Sequence, residues 1–196
     1  MKKILTTAIL CAGLVGFTAC DSFLDEDPKS SLTLDTYYKT SADIIGNVNY
    51  LYRDGAPDKM GNMTGAYRGS SLSVMNMVTG YFVNEYEGQE VDCSYARQLT
   101  RQDFTQSCCN YLTNDTWKSC YKSINVANAV IKYVDGVEMD NQAQYKAEAR
   151  FFRALNYFYL VKMFGDVPMV TEPTEDATLV EYPTRTAASE VFNTVI

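Results

Sequence analysis

The stretch from Ala147 to Pro168, AEARFFRALNYFYLVKMFGDVP, constrains this chain more than any other part of it. Glu148, Arg150, Arg153 and Asn156 keep polarity in its first half, whereas from Tyr157 to Phe164 only Lys162 is charged. The spacing predicts a helix that is amphipathic at its start and apolar nearly all round at its end, an end that must be covered on most sides. Gly165 is positioned to stop it as a C-cap, and Pro168 forbids its resumption. Tyr157, Phe158 and Tyr159 are read as packing residues. Arg150 and Arg153 are charges on a largely buried helix; Arg153 is read as structural, pairing internally with Glu148 or Asp166.

A partner for that helix lies just upstream. Asn114-Asp115 opens a second helical pattern with apolar or small groups at 117, 121, 124, 127, 131 and 134, and Gly136 stops it. Asn141 then caps the 143–164 helix, so the two form an antiparallel hairpin. Tyr121 belongs with the packing residues. Ser41-Ala42-Asp43 caps an earlier helix whose apolar face carries Ile44, Ile45, Val48, Leu51 and Tyr52, and Gly55-Ala56-Pro57 ends it. Residues 58–71 read as a loop, and 72–78 fit either a helix or a short strand. From Glu85 to Asn110 the composition turns polar and aromatic, with long loops expected. These patterns predict a mainly α fold.

The N-terminus reads as an export signal. Met1-Lys2-Lys3 precedes an apolar run from Ile4 to Ala19 that is too short and too rich in Thr and Gly for a membrane span. It ends in Phe17-Thr18-Ala19-Cys20, a lipobox-like site with Phe where Leu is usual. Residues 1–19 are thus a lipoprotein signal peptide and Cys20 the lipidated residue, whose acyl chains anchor the protein to a membrane it does not cross. Residues 20–38 carry Asp21, Asp25, Glu26, Asp27 and Pro28, with few large apolar groups, and read as an acidic tether. Residues 39–196 form the domain. Without Lys2 and Lys3 the chain has 15 basic and 24 acidic residues, a charge of −9. That balance excludes nucleic acid, which demands clustered Lys and Arg.

Chemistry is limited by composition. The chain has no histidine, which removes Ser-His and Cys-His triads and the usual zinc hydrolase sites. It has no Gly-rich phosphate loop, and no cofactor is implied. Glu85, Glu87, Glu90 and Asp92 are the one dense acidic cluster outside the tether, better read as a solvated loop than as a glycosidase pair or a calcium site. Of six cysteines, Cys93, Cys108, Cys109 and Cys120 remain after export and lipidation. Adjacency disfavours a bridge between Cys108 and Cys109, leaving Cys93 or Cys120 with one of them, or no disulfide. No metal site is expected.

Fifteen tyrosines are many for 196 residues. Tyrosine suits sugars, since its ring stacks on their C–H faces and its hydroxyl bonds their hydroxyls. Tyr81, Tyr86 and Tyr95 lie in loop-like, Asn- and acid-rich sequence and are candidate ligand contacts with Arg97; Arg101 and Asn84 are possible companions.

The wording of three segments resembles one family. Ala147 to Pro168 resembles the signature helix of SusD/RagB proteins, the surface lipoproteins that bind glycans or peptides for uptake. Trp117 to Ile131, with its Trp, Tyr, Ile and Ala-Asn landmarks, resembles the preceding helix, and Tyr182-Pro-Thr-Arg185 to Phe192 the start of the next. The resemblance covers the tether and residues 111–196, and is loose between about 55 and 110. It implies a helical scaffold of tetratricopeptide-like helix pairs with long loops, and Ala154 and Phe158 echo the A-x-x-x-F element of such units. It also implies an outer-membrane, exterior-facing lipoprotein, for which an acidic stretch after the Cys marks export. Its partners would be an oligosaccharide and a TonB-dependent, SusC-like transporter, and it would perform no chemistry. Family members are much longer, and the last residues, Ala187 to Ile196, open a helix without capping it, so an N-terminal part of a longer protein is expected. Two other readings stay open: a lipid-anchored glycoside hydrolase, and a peptide-binding or structural surface lipoprotein on the same scaffold.

Overall fold

The computed structural model describes residues 33–53, 76–82, 98–104, 107–175 and 183–196, with the backbone alone for 107–115. Leu34–Ile196 form one compact unit. The described part is mainly helical, as the patterns predict: α1 (Leu34–Tyr37), α2 (Ser41–Arg53), α3 (Ser107–Tyr133), a 3-10 turn (Val134–Gly136), α4 (Gln142–Phe164) and α5 (Ala188–Val195). The signal, Cys20 and residues 20–32 of the tether lie outside the described residues.

Helix α2 starts one residue earlier in its chemistry than Ser41. The Asp43 carboxylate accepts from the Thr40 backbone N–H (2.8 Å), the Thr40 hydroxyl (2.7 Å) and the Lys39 N–H (3.3 Å). This is the carboxylate half of a capping box on Thr40, with Asp in place of Glu and the Asp43 N–H on the Thr40 carbonyl (3.1 Å). The Thr40 bonds hold the Asp43 carboxyl below its ordinary pKa. Ile44, Val48 and Leu51, spaced i, i+4, i+7, are fully buried. Tyr52, expected on the same face, lies at its edge: it is 55% exposed, yet its ring meets Phe152 of the core edge-on at 4.6 Å.

Helix α3 begins seven residues before the expected start at Asn114 and takes the end of the expected loop region with it. Asn and Asp disfavour a helix interior by no more than about 0.7 kcal/mol each, too little to stop a helix that packs elsewhere along its length. This length also corrects one disulfide expectation. Cys120 is a buried thiol, outside any disulfide. Cys108 and Cys109 lie on the same helix, a rise of about 17 Å away at 1.5 Å per residue, whereas bridged Cα atoms lie within about 7 Å. Cys93 lies outside the described residues.

At the hairpin turn the Gln142 amide donates to the Val134 and Val137 carbonyls, satisfying groups that the end of α3 leaves open. Lys146 pairs with Asp135 across the turn. Asn141 occupies the N-cap of α4 as expected, but through its backbone rather than its side chain. Its φ is +59°, it makes no side-chain cap, and its carbonyl accepts from Gln144 (2.9 Å) and Tyr145 (3.2 Å). Asn tolerates this left-handed conformation better than most residues. Gly165 ends α4 at φ +69°, with its N–H on the Val161 carbonyl (3.0 Å).

The chain then runs extended across the hairpin. Val167 pairs with Thr186 in an isolated antiparallel bridge (3.2 and 2.9 Å). The Tyr157 hydroxyl accepts from the Val170 N–H (2.6 Å) and donates to its carbonyl (2.9 Å). The Asn128 amide donates to the carbonyls of Val170 (3.0 Å) and Glu172 (3.3 Å), and Asn125 accepts from the Thr174 N–H (2.7 Å). Glu175 meets Lys132 and the Tyr133 hydroxyl. Asp166 accepts from the Ala188 N–H (2.9 Å) and so starts α5.

Two apolar clusters follow from this layout. Around the closed end of the hairpin, Ile44, Val48 and Leu51 of α2 meet Ala127, Val130, Ala149 and Phe152. Toward the open end, Cys120, Ile124, Tyr157, Leu160, Val167 and Val191 form the second. The first cluster joins residues 127–134 to 149–152 and the second joins 120–124 to 157–161, so the two helices run antiparallel. Tyr157 is fully buried, and Tyr121, half-buried, donates to the Pro168 carbonyl (2.7 Å), so both pack as expected. Phe158 packs less fully: it is 37% exposed, met by Phe192 edge-on at 6.4 Å and overlain by Lys162. Arg153 also departs from expectation. Gln144 bonds Glu148 and α5 bonds Asp166, so the Arg153 guanidinium donates instead to the Asn128 carbonyl oxygen (3.1 Å), and burial lowers its pKa.

Candidate aromatic binding surface

Two short segments carry the site candidates that the structure describes. In the first, residues 76–77 are helical and the chain turns at Thr79 and Gly80. The Thr79 N–H and hydroxyl donate to the Asn76 carbonyl (3.3 and 2.7 Å), and the Tyr81 N–H donates back to the Thr79 hydroxyl (3.2 Å). Gly80 supplies the positive φ, +77°, that the turn requires. The turn ends by presenting Tyr81 at 90% exposure and Phe82 at 54%.

In the second segment, residues 98–100 make one helical turn. Leu99 is fully buried against Met77, Val78 and Met163, which seats both segments on the end of α4. Gln102 closes the turn in the left-handed region at φ +56°, with its N–H on the Leu99 carbonyl (3.0 Å) and that of Asp103 on the Gln98 carbonyl (2.9 Å). The Gln102 side-chain amide donates across to the Val78 carbonyl (3.2 Å). Phe104 follows at 51% exposure, and Arg101 is exposed.

Of the residues named from sequence, Tyr81 is thus a solvent-facing ring on a built turn. Tyr86, Tyr95, Arg97 and Asn84, and the acidic cluster Glu85, Glu87, Glu90 and Asp92, lie outside the described residues. Phe82, Phe104 and Gln102 were not singled out from sequence. The signal for Phe104 was present in its polar flanks, Gln102-Asp103 and Thr105-Gln106. Gln102 gave none, because Gln has no particular tendency toward positive φ.

The described arrangement offers aromatic faces, amide and guanidinium donors and a main chain held by its own turn bonds. Those are the means of gripping a ligand by stacking and hydrogen bonding. Among the described residues no cluster of three or more His, Cys, Asp or Glu could hold a metal ion. No described helix is long and apolar enough to cross a membrane.

Known proteins resemble this chain along its length. A SusD-like protein of Formosa agariphila is 27% identical over 164 residues, which are 79% of this chain and 29% of that protein. A second from the same organism is 27% identical over 199 residues, spanning 100% of this chain and 36% of the relative. One from Bacteroides ovatus is 26% identical over 201 residues, 98% of this chain and 32% of the relative. The chain therefore spans about a third of the length of these curated relatives. No solved structure matches it. Residues 22–196 match the SusD-like family described as starch-binding and associating with the outer membrane, and the chain belongs to that family.

Proposed function

We propose that this protein binds nutrient oligosaccharide at the cell surface through the surface that bears Tyr81, and performs no chemistry on it. The observation that carries the reading is the match over residues 22–196 to a family described as starch-binding and outer-membrane-associated. Support comes from the 90% exposed Tyr81 on its bonded turn, with Phe82 beside it. A neutral sugar needs flat apolar faces and nearby polar groups, and this surface supplies both.

The lipoprotein signal (residues 1–19) and the acidic tether (20–38) support the rest of the proposal. Cys20 is the acylated residue, the domain (39–196) is held to the outer membrane facing the exterior, and bound ligand passes to a TonB-dependent, SusC-like transporter. Tyr86, Tyr95 and Arg97 are proposed as further contacts on the same loop region.

Binding is tested by calorimetry with maltoheptaose and soluble starch. Replacing Tyr81 with Ala is expected to weaken binding about tenfold, or about 1.4 kcal/mol, with no loss of melting temperature. Unchanged affinity excludes Tyr81 from the site, and binding of peptides in place of any glycan selects the peptide-binding reading. For the anchor, Cys20→Ala is expected to release the protein from the outer-membrane fraction, and undiminished membrane residence overturns that part.

A further inference from the structure

We propose that Gln102 is a positioning residue, which joins the segments bearing Tyr81, Phe82 and Phe104 into one stacking surface for an extended oligosaccharide. The inference rests on the glycan-binding reading above and adds which residues make the surface and what holds them together.

Only two described residues other than glycine have a positive φ, Asn141 and Gln102. Asn141 needs no special account, since Asn visits that region readily. A Gln there is unusual, and an unusual backbone that persists is held by its surroundings. What holds Gln102 is on both sides of it. Its N–H closes the turn on Leu99, and its amide reaches the Val78 carbonyl, 24 residues earlier in sequence. The left-handed turn and the cross-segment bond occur at the same residue.

Leu99 is the fully buried residue of a small apolar cluster, against Met77, Val78 and Met163. Such an apolar contact fixes position without fixing direction. The Gln102 bond to Val78, three residues before Tyr81, is directional and joins one segment to the other. The rings that these segments carry are among the most exposed in the described structure: Tyr81 at 90%, Phe82 at 54% and Phe104 at 51%. Singly exposed aromatics are ordinary. Three of them are carried by two segments that the Gln102 amide ties together, with the polar residues Thr79, Arg101 and Asp103 close by in sequence. That is the chemistry of a multi-ring sugar, stacked at several units and bonded at its hydroxyls.

The test compares maltotriose with maltoheptaose on the purified protein. The unsubstituted protein is expected to bind the longer sugar at least about tenfold more tightly, because more rings are engaged. Gln102→Gly retains the left-handed turn, which glycine accepts freely, but deletes the amide. Gln102→Asn also tolerates the turn, but its amide is one methylene too short for Val78. Both are expected to lose most of that length dependence, while maltotriose affinity and melting temperature stay as they were; Tyr81→Ala is expected to weaken binding of both sugars. Length dependence that survives in both Gln102 variants overturns the positioning role and leaves the glycan reading standing. So does a large fall in melting temperature in both, since the bond would then hold the fold rather than align the surface. If the unsubstituted protein binds neither sugar nor starch, the glycan reading fails and this inference with it.

Discussion

Asn128 does more than its size suggests. It is 1% exposed, its amide nitrogen holds two carbonyls of the extended run at Val170 and Glu172, and its carbonyl oxygen receives Arg153. An apolar residue in its place would take the Asn128 partner from a partly buried guanidinium and from the Glu172 carbonyl, while Tyr157 still serves that of Val170. Leaving such groups unsatisfied costs about 1–3 kcal/mol, and more where a charge is involved. Asn128→Ala is therefore expected to destabilise the fold by about 2–4 kcal/mol in denaturant melts. A loss within about 0.5 kcal/mol, the range of an ordinary surface change, would show that the network does not bear on stability. The tyrosines make a second prediction at this scale. Burial raises the pKa of Tyr38, Tyr121 and Tyr157 above 10.0, the ordinary value. A folded pKa above the unfolded one gives stability that is complete below the unfolded pKa and is lost as pH rises toward the folded one. Stability should therefore be independent of these groups below about pH 9 and decline from about pH 10 upward. Tyr157→Phe, which cannot ionise, should flatten that decline, and an equally steep loss in the variant would assign the alkaline transition elsewhere.

Helix α3 carries a prediction of its own. Its unbroken course from Ser107 to Tyr133 separates Cys120 from Cys108 and Cys109, and Cys120 is fully buried. Cys120 should stay a thiol in the oxidised, exported protein, resist alkylation in the native state and react at once on unfolding. A peptide map linking Cys120 to Cys108 or Cys109 would contradict the helix itself. Elements were legible in proportion to how local their causes are. The end of α4 could be read because Gly165 and Pro168 act at their own positions, and the buried face of α2 because three residues repeat at helical spacing. The start of α3 could not, because Asn114 and Asp115 are weak breakers and what carries the helix through them is packing along the rest of its length. Phe158 could not be placed either. Periodicity tells which residues share a face, but not how fully a neighbour covers it, and here Phe192 meets the ring edge-on while Lys162 lies over it. The extended run at 167–175 has no periodicity at all. Its bonds come from Asn125, Asn128, Lys132, Tyr133 and Tyr157, most of them more than 40 residues away in sequence.

At the scale of the whole molecule, stability and recognition sit in different places. The hairpin and α2 enclose two clusters with many buried side chains, whereas the small cluster under the segments bearing Tyr81 and Phe104 has one fully buried side chain, Leu99, beside the Gln102 amide bond. The site was legible only in part for the same reason: an exposed Tyr in polar sequence can be recognised, but the tie that aligns it crosses 24 residues and depends on a backbone conformation that Gln does not favour. Proteins open in units whose free energies range from near zero to the global value, and thinly packed units open first. The cost of a truncation in such a unit is capped by the free energy that holds the unit down. Leu160→Ala, at the centre of the second cluster, should thus cost the usual 2–5 kcal/mol or so of a core truncation. Leu99→Ala removes a side chain of equal size and equal burial, yet it should lower global stability by only about 1 kcal/mol, the segment detaching while the hairpin stays folded. Amide exchange should locate the difference. Protection at Gln102 and Asp103 should collapse in Leu99→Ala, that of α4 from Tyr145 to Val161 should persist, and maltoheptaose affinity should fall although the protein melts almost normally. If Leu99→Ala instead costs as much as Leu160→Ala and loosens α4 with it, the binding surface is part of the core, and recognition is not held apart from stability in this fold.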